Sequence, residues 1–214
     1  MSKWWKSLEV DSNKKIKIVA ASYLNDDEKN IYKTKYFINS LLSQTFDNFE
    51  LIIVHDGKVF NRSILDKIKC ELSDSRITFV ETEERLGKYG YPHRKKYAFL
   101  DENFDYLIYT NDDNFYTPHT LEFLMHVFYK TSCMIAYMNM LSHHTRYTKI
   151  SGINFIREQI DLGAFAMKKN IAKAIDFKLY DDCHLADARF IEDICKVVDK
   201  SNIYGIEHIL YIHN

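Results

Sequence analysis

Three times in the first 113 residues a short run of apolar, largely β-branched side chains stops abruptly in polar ones. Ile16-Lys-Ile-Val-Ala-Ala21 gives way to Ser22-Tyr23, and Phe49-Glu-Leu-Ile-Ile-Val54 runs into His55-Asp56-Gly57. Tyr106-Leu-Ile-Tyr109 breaks into Asn111-Asp112-Asp113. Runs this short and this apolar read as strands buried on both faces. Between them the apolar positions Ile31, Phe37, Ile38, Leu41 and Leu42 recur near helical period, as do those from Ile64 to Leu72, and Ile77-Thr-Phe-Val80 supplies a further strand. Strand and helix alternating at roughly 30 residues per unit predict an α/β fold with a mainly parallel central sheet flanked by helices. Such sheets bind ligands outside the carboxyl ends of their strands, where these polar residues would lie.

The second half is less regular. A helix through Leu121, Phe123, Leu124, Val127 and Phe128 follows Pro118, which is tolerated in a first helical turn, and Cys133-Met-Ile-Ala-Tyr-Met138 reads as a strand. Residues 141–158 show no clean period. Gly163-Ala-Phe-Ala-Met167 is a candidate strand, preceded by Asp161 and followed by a short helix around Ile171 to Ile175. An amphipathic helix is expected from Phe190 to Val198, with Glu192 and Asp193 off its apolar face, and a last extended run from Ile203 to Ile212 ends in His213-Asn214. With 214 residues, 46% of them hydrophobic, the chain can bury a real core in one domain. A net charge of −1 argues against a general polyanion binder, so no nucleic-acid partner is expected. Cys70, Cys133, Cys183 and Cys195 are scattered without ligand-like spacing and read as reduced core residues, which points to a cytoplasmic, reducing location. No run reaches transmembrane length, and the Trp4-Trp5 pair, too short for an anchor, reads as packing.

Closely spaced oxygens at Asn111, Asp112 and Asp113 suit a hard cation such as Mg²⁺ or Mn²⁺, although Asn and Asp are equally the residues of a solvated turn. Gly57 permits a tight turn that leaves Asp56 at its strand's edge. The loop from Glu84 to Lys96 combines glycines with Arg85, Lys88 and Arg94 before a helix that Pro92 can start; this is what a phosphate would want, and also what a solvated basic face looks like. Tyr23 is either a stacking platform or an ordinary half-buried aromatic. His143 and His144, being adjacent, are expected to point apart and to hold no metal.

The string Ser40-Leu-Leu-Ser-Gln-Thr-Phe-Asp-Asn-Phe-Glu-Leu-Ile-Ile-Val-His-Asp-Gly57 resembles the first strand-helix-strand unit of nucleotide-sugar glycosyltransferases of the GT-A fold, in particular family 2. The resemblance spans about residues 15–213, strongly in the first half and loosely after residue 140. It implies a GT-A, Rossmann-like sheet with a mixed C-terminal part, a nucleotide-binding half over about 15–117 and an acceptor-side half over about 118–214. The last apolar run, which ends without a polar tail, suggests the N-terminal domain of a longer protein. Registering the family's Asp-x-Asp on Pro118 places Asn111 and Asp113 on its two positions, so the first departs from the pattern. The implied donor site comprises Ser22, Tyr23, Asp56, Arg85, Lys88, Arg94, Asn111, Asp112 and Gly163, with Asp56 accepting from a base imide and so favouring uracil. Asp113 and His213 are the implied ligands of Mn²⁺ or Mg²⁺. Asp193 is the implied base on the acceptor hydroxyl, with Glu192 as the alternative. The expected reaction moves a sugar from a UDP-sugar to a glycan or protein-glycan acceptor. A catalytically inactive nucleotide-sugar binding module and a sugar-nucleotide pyrophosphorylase are the competing readings.

Overall fold

The computed structural model describes residues 8–24, 27–175 and 186–214; Trp4, Trp5 and Cys183 lie outside them. Strand β1 (Ile16–Ser22) is buried along its whole length, and helix α1 (Glu28–Leu42) follows, its first turn capped by Asp27 accepting from the Lys29 N–H. Strand β2 (Phe49–His55) comes next, then a short helix α2 (Ser63–Lys67) and strand β3 (Ile77–Glu81). The helix expected from Ile64 to Leu72 is thus cut short: its chain passes at Glu71–Ser73 into a 3₁₀ turn, where the Ser73 hydroxyl bonds back to the Cys70 carbonyl. Helix α3 (Tyr91–Ala98) carries Pro92 in its first turn, and strand β4 (Tyr106–Asn111) is the buried strand that ends in the acidic cluster.

Beyond β4 come β5 (Phe115–Tyr116), helix α4 (Thr120–Thr131), β6 (Ile135–Ser142), β7 (Ile150–Ser151), β8 (Phe165–Lys168), α5 (Lys169–Ala174), α6 (Ala186–Val197) and β9 (Ile203–His213). Among the described residues, nine strands join one sheet in the order β3-β2-β1-β4-β8-β6-β9-β5, with β7 paired to β6. The pairings among β1 to β4 are parallel; β8 runs antiparallel to both β4 and β6, and β9 pairs parallel with β6. The chain is therefore a mainly parallel sheet in its first half and a mixed one in its second, as expected.

One main core fills the space between sheet and helices, with Phe37, Ile38 and Leu41 of α1, Leu107 and Ile108 of β4, and Phe165 and Phe190 all inaccessible to solvent. Gln44 shows why a polar residue sits inside it. Its amide nitrogen donates to the Ser40 and Thr117 carbonyls and its oxygen accepts from the Leu121 N–H at 3.0 Å, so one buried side chain ties the end of α1 to the start of α4 with its polar atoms satisfied. Among the described residues, no helix is long and apolar enough to cross a membrane. Of the cysteines expected in the core, Cys133 is buried, but Cys70 and Cys195 are exposed; all three are free thiols. Cys70 immediately precedes the 3₁₀ turn, and Cys195 lies on α6, where its thiol reaches the Phe155 carbonyl at 3.8 Å.

Candidate functional site

In the register of the parallel strands, Ala21 of β1 lies beside Asn111 of β4, and Ser22 beside His55 of β2. The three polar strand ends therefore meet at one edge. A cleft of about 480 Å³ opens there, and Ser22, Tyr23, Asp56, Arg85, Lys88, Asn111, Asp112 and Asp113 all line it. Gly90 allows the basic loop to close over this edge: its φ is +73°, and an added Cβ would collide with the Ala21 side chain.

Asp56 latches that loop. Its Oδ1 accepts from the Leu86 N–H and from His93 Nε2, each at 2.8 Å, and its Oδ2 accepts from the Gly87 N–H at 2.8 Å. Burial pushes its pKa upward, but the bonds from His93, Leu86 and Gly87 outweigh burial and hold the carboxyl below its ordinary range. A carboxylate offers about four acceptor positions; three are filled here, and Arg85 Nε stands 4.0 Å from Oδ2, where the fourth lies. The Tyr23 ring stacks on His55 at 5.8 Å between centroids, and the Arg85 guanidinium lies 3.8 Å over it. A base stacking on Tyr23 would displace that guanidinium or lie upon it. His55 itself is held as the Nδ1–H tautomer, donating to the Gly57 carbonyl while Nε2 accepts from the Leu24 N–H at 2.9 Å.

Asn111, which ends β4, and Asp112 and Asp113, which follow it, have different fates. Asn111 Oδ1 accepts from the buried Arg94, whose guanidinium also reaches the Thr110 carbonyl and packs over Tyr91. Arg94 thus holds Asn111 from beneath and does not line the cleft. Asp112 Oδ2 accepts from the Ser22 and Thr34 hydroxyls at 2.6 and 2.8 Å, and burial, against those two bonds, pushes its pKa up to about 6. Asp113 alone turns a partly open carboxylate into the cleft, with Lys33 Nζ 4.0 Å away. Burial raises its pKa, while Lys33 and His213 oppose the rise. Of the three residues expected to offer oxygen ligands to a cation, Asp113 is the one whose carboxylate is partly open to the cleft.

Behind Asp113 the second half supplies a further group. Asp161 accepts from the Tyr211 hydroxyl at 2.5 Å and from the Gly163 N–H at 2.8 Å, and its Oδ2 lies 3.7 Å from His213 Nε2. Gly163 corrects an expectation: it is buried, not on the cleft, and an added Cβ would lie 2.7 Å from Thr110 Oγ1 and overlap the Tyr211 hydroxyl. It serves close packing between β4 and β9. Asp193 and Glu192, both half-buried on α6, are engaged in ion pairs, Asp193 with Lys196 at 2.7 Å and Glu192 with Arg157 at 3.0 Å. The side chain that α6 turns inward is Asp187, one and a half turns earlier, which accepts from the Tyr91 hydroxyl. Burial raises its pKa, the nearby Asp161 adds to the rise, and Arg94 and His213 oppose it. In sequence, Asp187 precedes the amphipathic period of Phe190 to Val198 and so was not expected on that helix; its place at the helix start was the available signal.

His213 joins His143 and His144, with ring centroids 5.1 and 5.4 Å away, and those two lie 3.8 Å from each other. The expectation that adjacent histidines diverge fails because they stand in a 3₁₀ turn, His143–Thr145, where consecutive side chains are separated by about 120° and not by the 180° of a strand. Burial lowers the pKa of His143, and the two neighbouring imidazoles lower it further.

Asp113 offers a divalent ion a partly open carboxylate in the cleft, the oxygen ligand that Mg²⁺ and Mn²⁺ take; among the described residues it belongs to no cluster of three ligating side chains, so most of an ion's remaining positions there would fall to water and a bound phosphate.

The family model described as glycosyl transferase family 2 matches residues 25–183. Among solved structures, S. aureus TarS is similar over 94% of this chain and 36% of its own, with a TM-score of 0.69 at 15% identity. TarS 1-349 in complex with UDP matches over 92% of this chain and 60% of its own, at 0.66 and 14%. A mannosyltransferase from Pyrobaculum calidifontis, PcManGT, in complex with GDP-Man and Mn²⁺, matches over 96% and 59%, at 0.68 and 11%. The chain thus spans between about a third and three-fifths of these proteins, and the likeness is one of fold: GT-A.

Proposed function

Because the chain belongs to glycosyl transferase family 2, we propose that it moves a sugar from a nucleotide-sugar donor, with a UDP-sugar preferred, to an acceptor hydroxyl in the presence of Mn²⁺ or Mg²⁺. The observation that carries this reading is the cleft of about 480 Å³ at the ends of β1, β2 and β4, with the Asp56 carboxylate on one side and the open Asp113 carboxylate on the other. The preference for uracil rests on Asp56 Oδ2, where an imide N–H would take the acceptor position that Arg85 Nε faces at 4.0 Å. Lys88 and Arg85, both exposed and lining the cleft on the loop that Asp56 latches, would meet phosphate oxygens on this reading.

Asp113 and His213 would hold the divalent ion, which when bound supplies charge neutralisation for the departing diphosphate. Asp161 orients His213 and is itself fixed by Tyr211 and Gly163. Asp187 is the base on this reading. It faces the same interior as Asp161, Arg94 and His213, and its raised pKa makes it a better proton acceptor than an exposed carboxylate. Tyr91 holds the Asp187 oxygen that is not needed for the acceptor. The acceptor is proposed to be a glycan hydroxyl, and the chain to be the catalytic domain of a longer protein.

Release of nucleoside diphosphate from a panel of UDP- and GDP-sugars, with Mn²⁺, with Mg²⁺ and with chelator, tests the reading. Metal-dependent release from one UDP-sugar is the expected result. Donor binding without turnover would favour an inactive binding module, for which the engagement of Asn111 by Arg94 is the supporting observation. Synthesis of nucleotide sugar from sugar phosphate would point to a pyrophosphorylase.

A further inference from the structure

The histidines at the end of the sheet form an arrangement that sugar transfer does not call for. Parallel pairing of β6 with β9 sets Ser142 opposite His213, and the 3₁₀ turn that follows Ser142 at once carries His143 and His144 over that pair. One ring nitrogen from each of His143, His144 and His213 comes within 4.8 Å of the other two. Zinc-to-imidazole bonds of about 2.0–2.1 Å in tetrahedral geometry set ligand nitrogens roughly 3.4 Å apart. Small rotations of His143 and His144, both exposed, cover the difference.

The supporting groups are also in place. His213 has Ser142 Oγ 3.3 Å from Nδ1 and Asp161 Oδ2 3.7 Å from Nε2, so whichever nitrogen binds an ion, the other keeps an oxygen partner. Such outer partners orient imidazole ligands and set their tautomers. The turn is held by the Ser142 hydroxyl accepting from the His144 N–H and by the Arg146 N–H donating to the His143 carbonyl at 2.8 Å. The chain end is held too: the Asn214 N–H donates to Asn114 Oδ1 at 3.2 Å, and Tyr147 donates to Asn214 Oδ1 at 2.9 Å. Ligands from two distant segments, each anchored by its own hydrogen bonds, make a convergent and partly preformed set.

We propose that His143, His144 and His213 form a binding site for a borderline transition-metal ion such as Zn²⁺, which shares His213 with the proposed position at Asp113, so that an ion held by the three histidines withdraws His213 from that position. Three imidazoles without a carboxylate suit Zn²⁺, Co²⁺ or Ni²⁺ and disfavour Mg²⁺. Three protein ligands leave a coordination position open to water or to an acceptor group, on the side of the sheet where β9 ends.

Titration of the untagged protein with Zn²⁺ by calorimetry, and with Co²⁺ by visible absorption, tests the site. One equivalent should bind, with Co²⁺ giving d–d bands and no thiolate charge-transfer band, which distinguishes the histidines from the exposed Cys70 and Cys195. The double variant His143→Gln/His144→Gln should lose affinity by more than about a hundredfold. Failure of the wild type to bind, thiolate bands in the Co²⁺ spectrum, or undiminished binding by the double variant would each overturn the proposal. The proposed function is read separately: Mn²⁺-dependent nucleotide binding by the same variant should stay within about twofold of wild type, because neither His143 nor His144 belongs to the donor cleft. Absence of that binding in the wild type would count against the proposed function while the Zn²⁺ titration still decides this site.

Discussion

Replacing Asp187 by Asn separates a proton-accepting role from a structural one. The amide has nearly the volume of the carboxyl, so no cavity opens, and its oxygen can still accept from the Tyr91 hydroxyl. What disappears is the ability to take a proton. A positioned general base typically contributes a hundredfold to ten-thousandfold, about 3 to 5 kcal/mol of barrier at 1.36 kcal/mol per tenfold. Turnover of Asp187→Asn, measured as nucleoside diphosphate release in the presence of acceptor, should fall by at least a hundredfold, while donor affinity by calorimetry stays within about twofold. Folding stability should be equal or higher. The folded pKa of Asp187 is raised above its unfolded value, so above that unfolded value the ionised carboxylate weakens the fold, and a neutral amide removes the penalty. Asp193→Asn is the matched control: its carboxylate sits in an ion pair with Lys196, so turnover should not change by more than about twofold. Wild-type turnover in Asp187→Asn, or an equal fall in both variants, would refute the assignment.

Asp113→Ala should abolish the difference in nucleotide affinity between Mn²⁺ and chelator, measured by calorimetry; a difference that persists would remove Asp113 from the metal set. Asp56→Ala releases the Leu86 and Gly87 N–H groups and His93 together, and with charged hydrogen bonds contributing about 1.5–3 kcal/mol each, it should lower thermal stability and narrow the preference for UDP over GDP. Hydrogen exchange should then accelerate at residues 86 and 87, and unchanged protection there would count against the latch. Gly163→Ala should destabilise by about 1–3 kcal/mol, because its Cβ overlaps the buried Tyr211 hydroxyl that holds Asp161. A melting temperature lower by roughly 3 to 10 °C would be the sign of it.

Much of the first half was legible because its signals are local. Apolar runs such as Leu107 and Ile108, buried on both faces of the sheet, have few ways to be satisfied except as inner strands, and a right-handed parallel arrangement then delivers Ser22, Asp56 and Asn111 to one edge. The identity of the cleft therefore followed from residue order. Which atoms remain open within it did not, because that depends on partners far along the chain. Thr34 reaches Asp112 across 78 residues, and Arg94 closes on Asn111 from a different helix, leaving Asp113 as the open carboxylate of the three. The inward acid of α6 was missed for a related reason. A helical pattern names the apolar face, but Asp187 sits at the helix start, where its direction is set by the Tyr91 hydroxyl and by the nearby Asp161. The gathering of His143, His144 and His213 depends on the β6–β9 register and on a 3₁₀ turn whose backbone angles no hydrophobic period encodes, so only the tertiary structure could decide it.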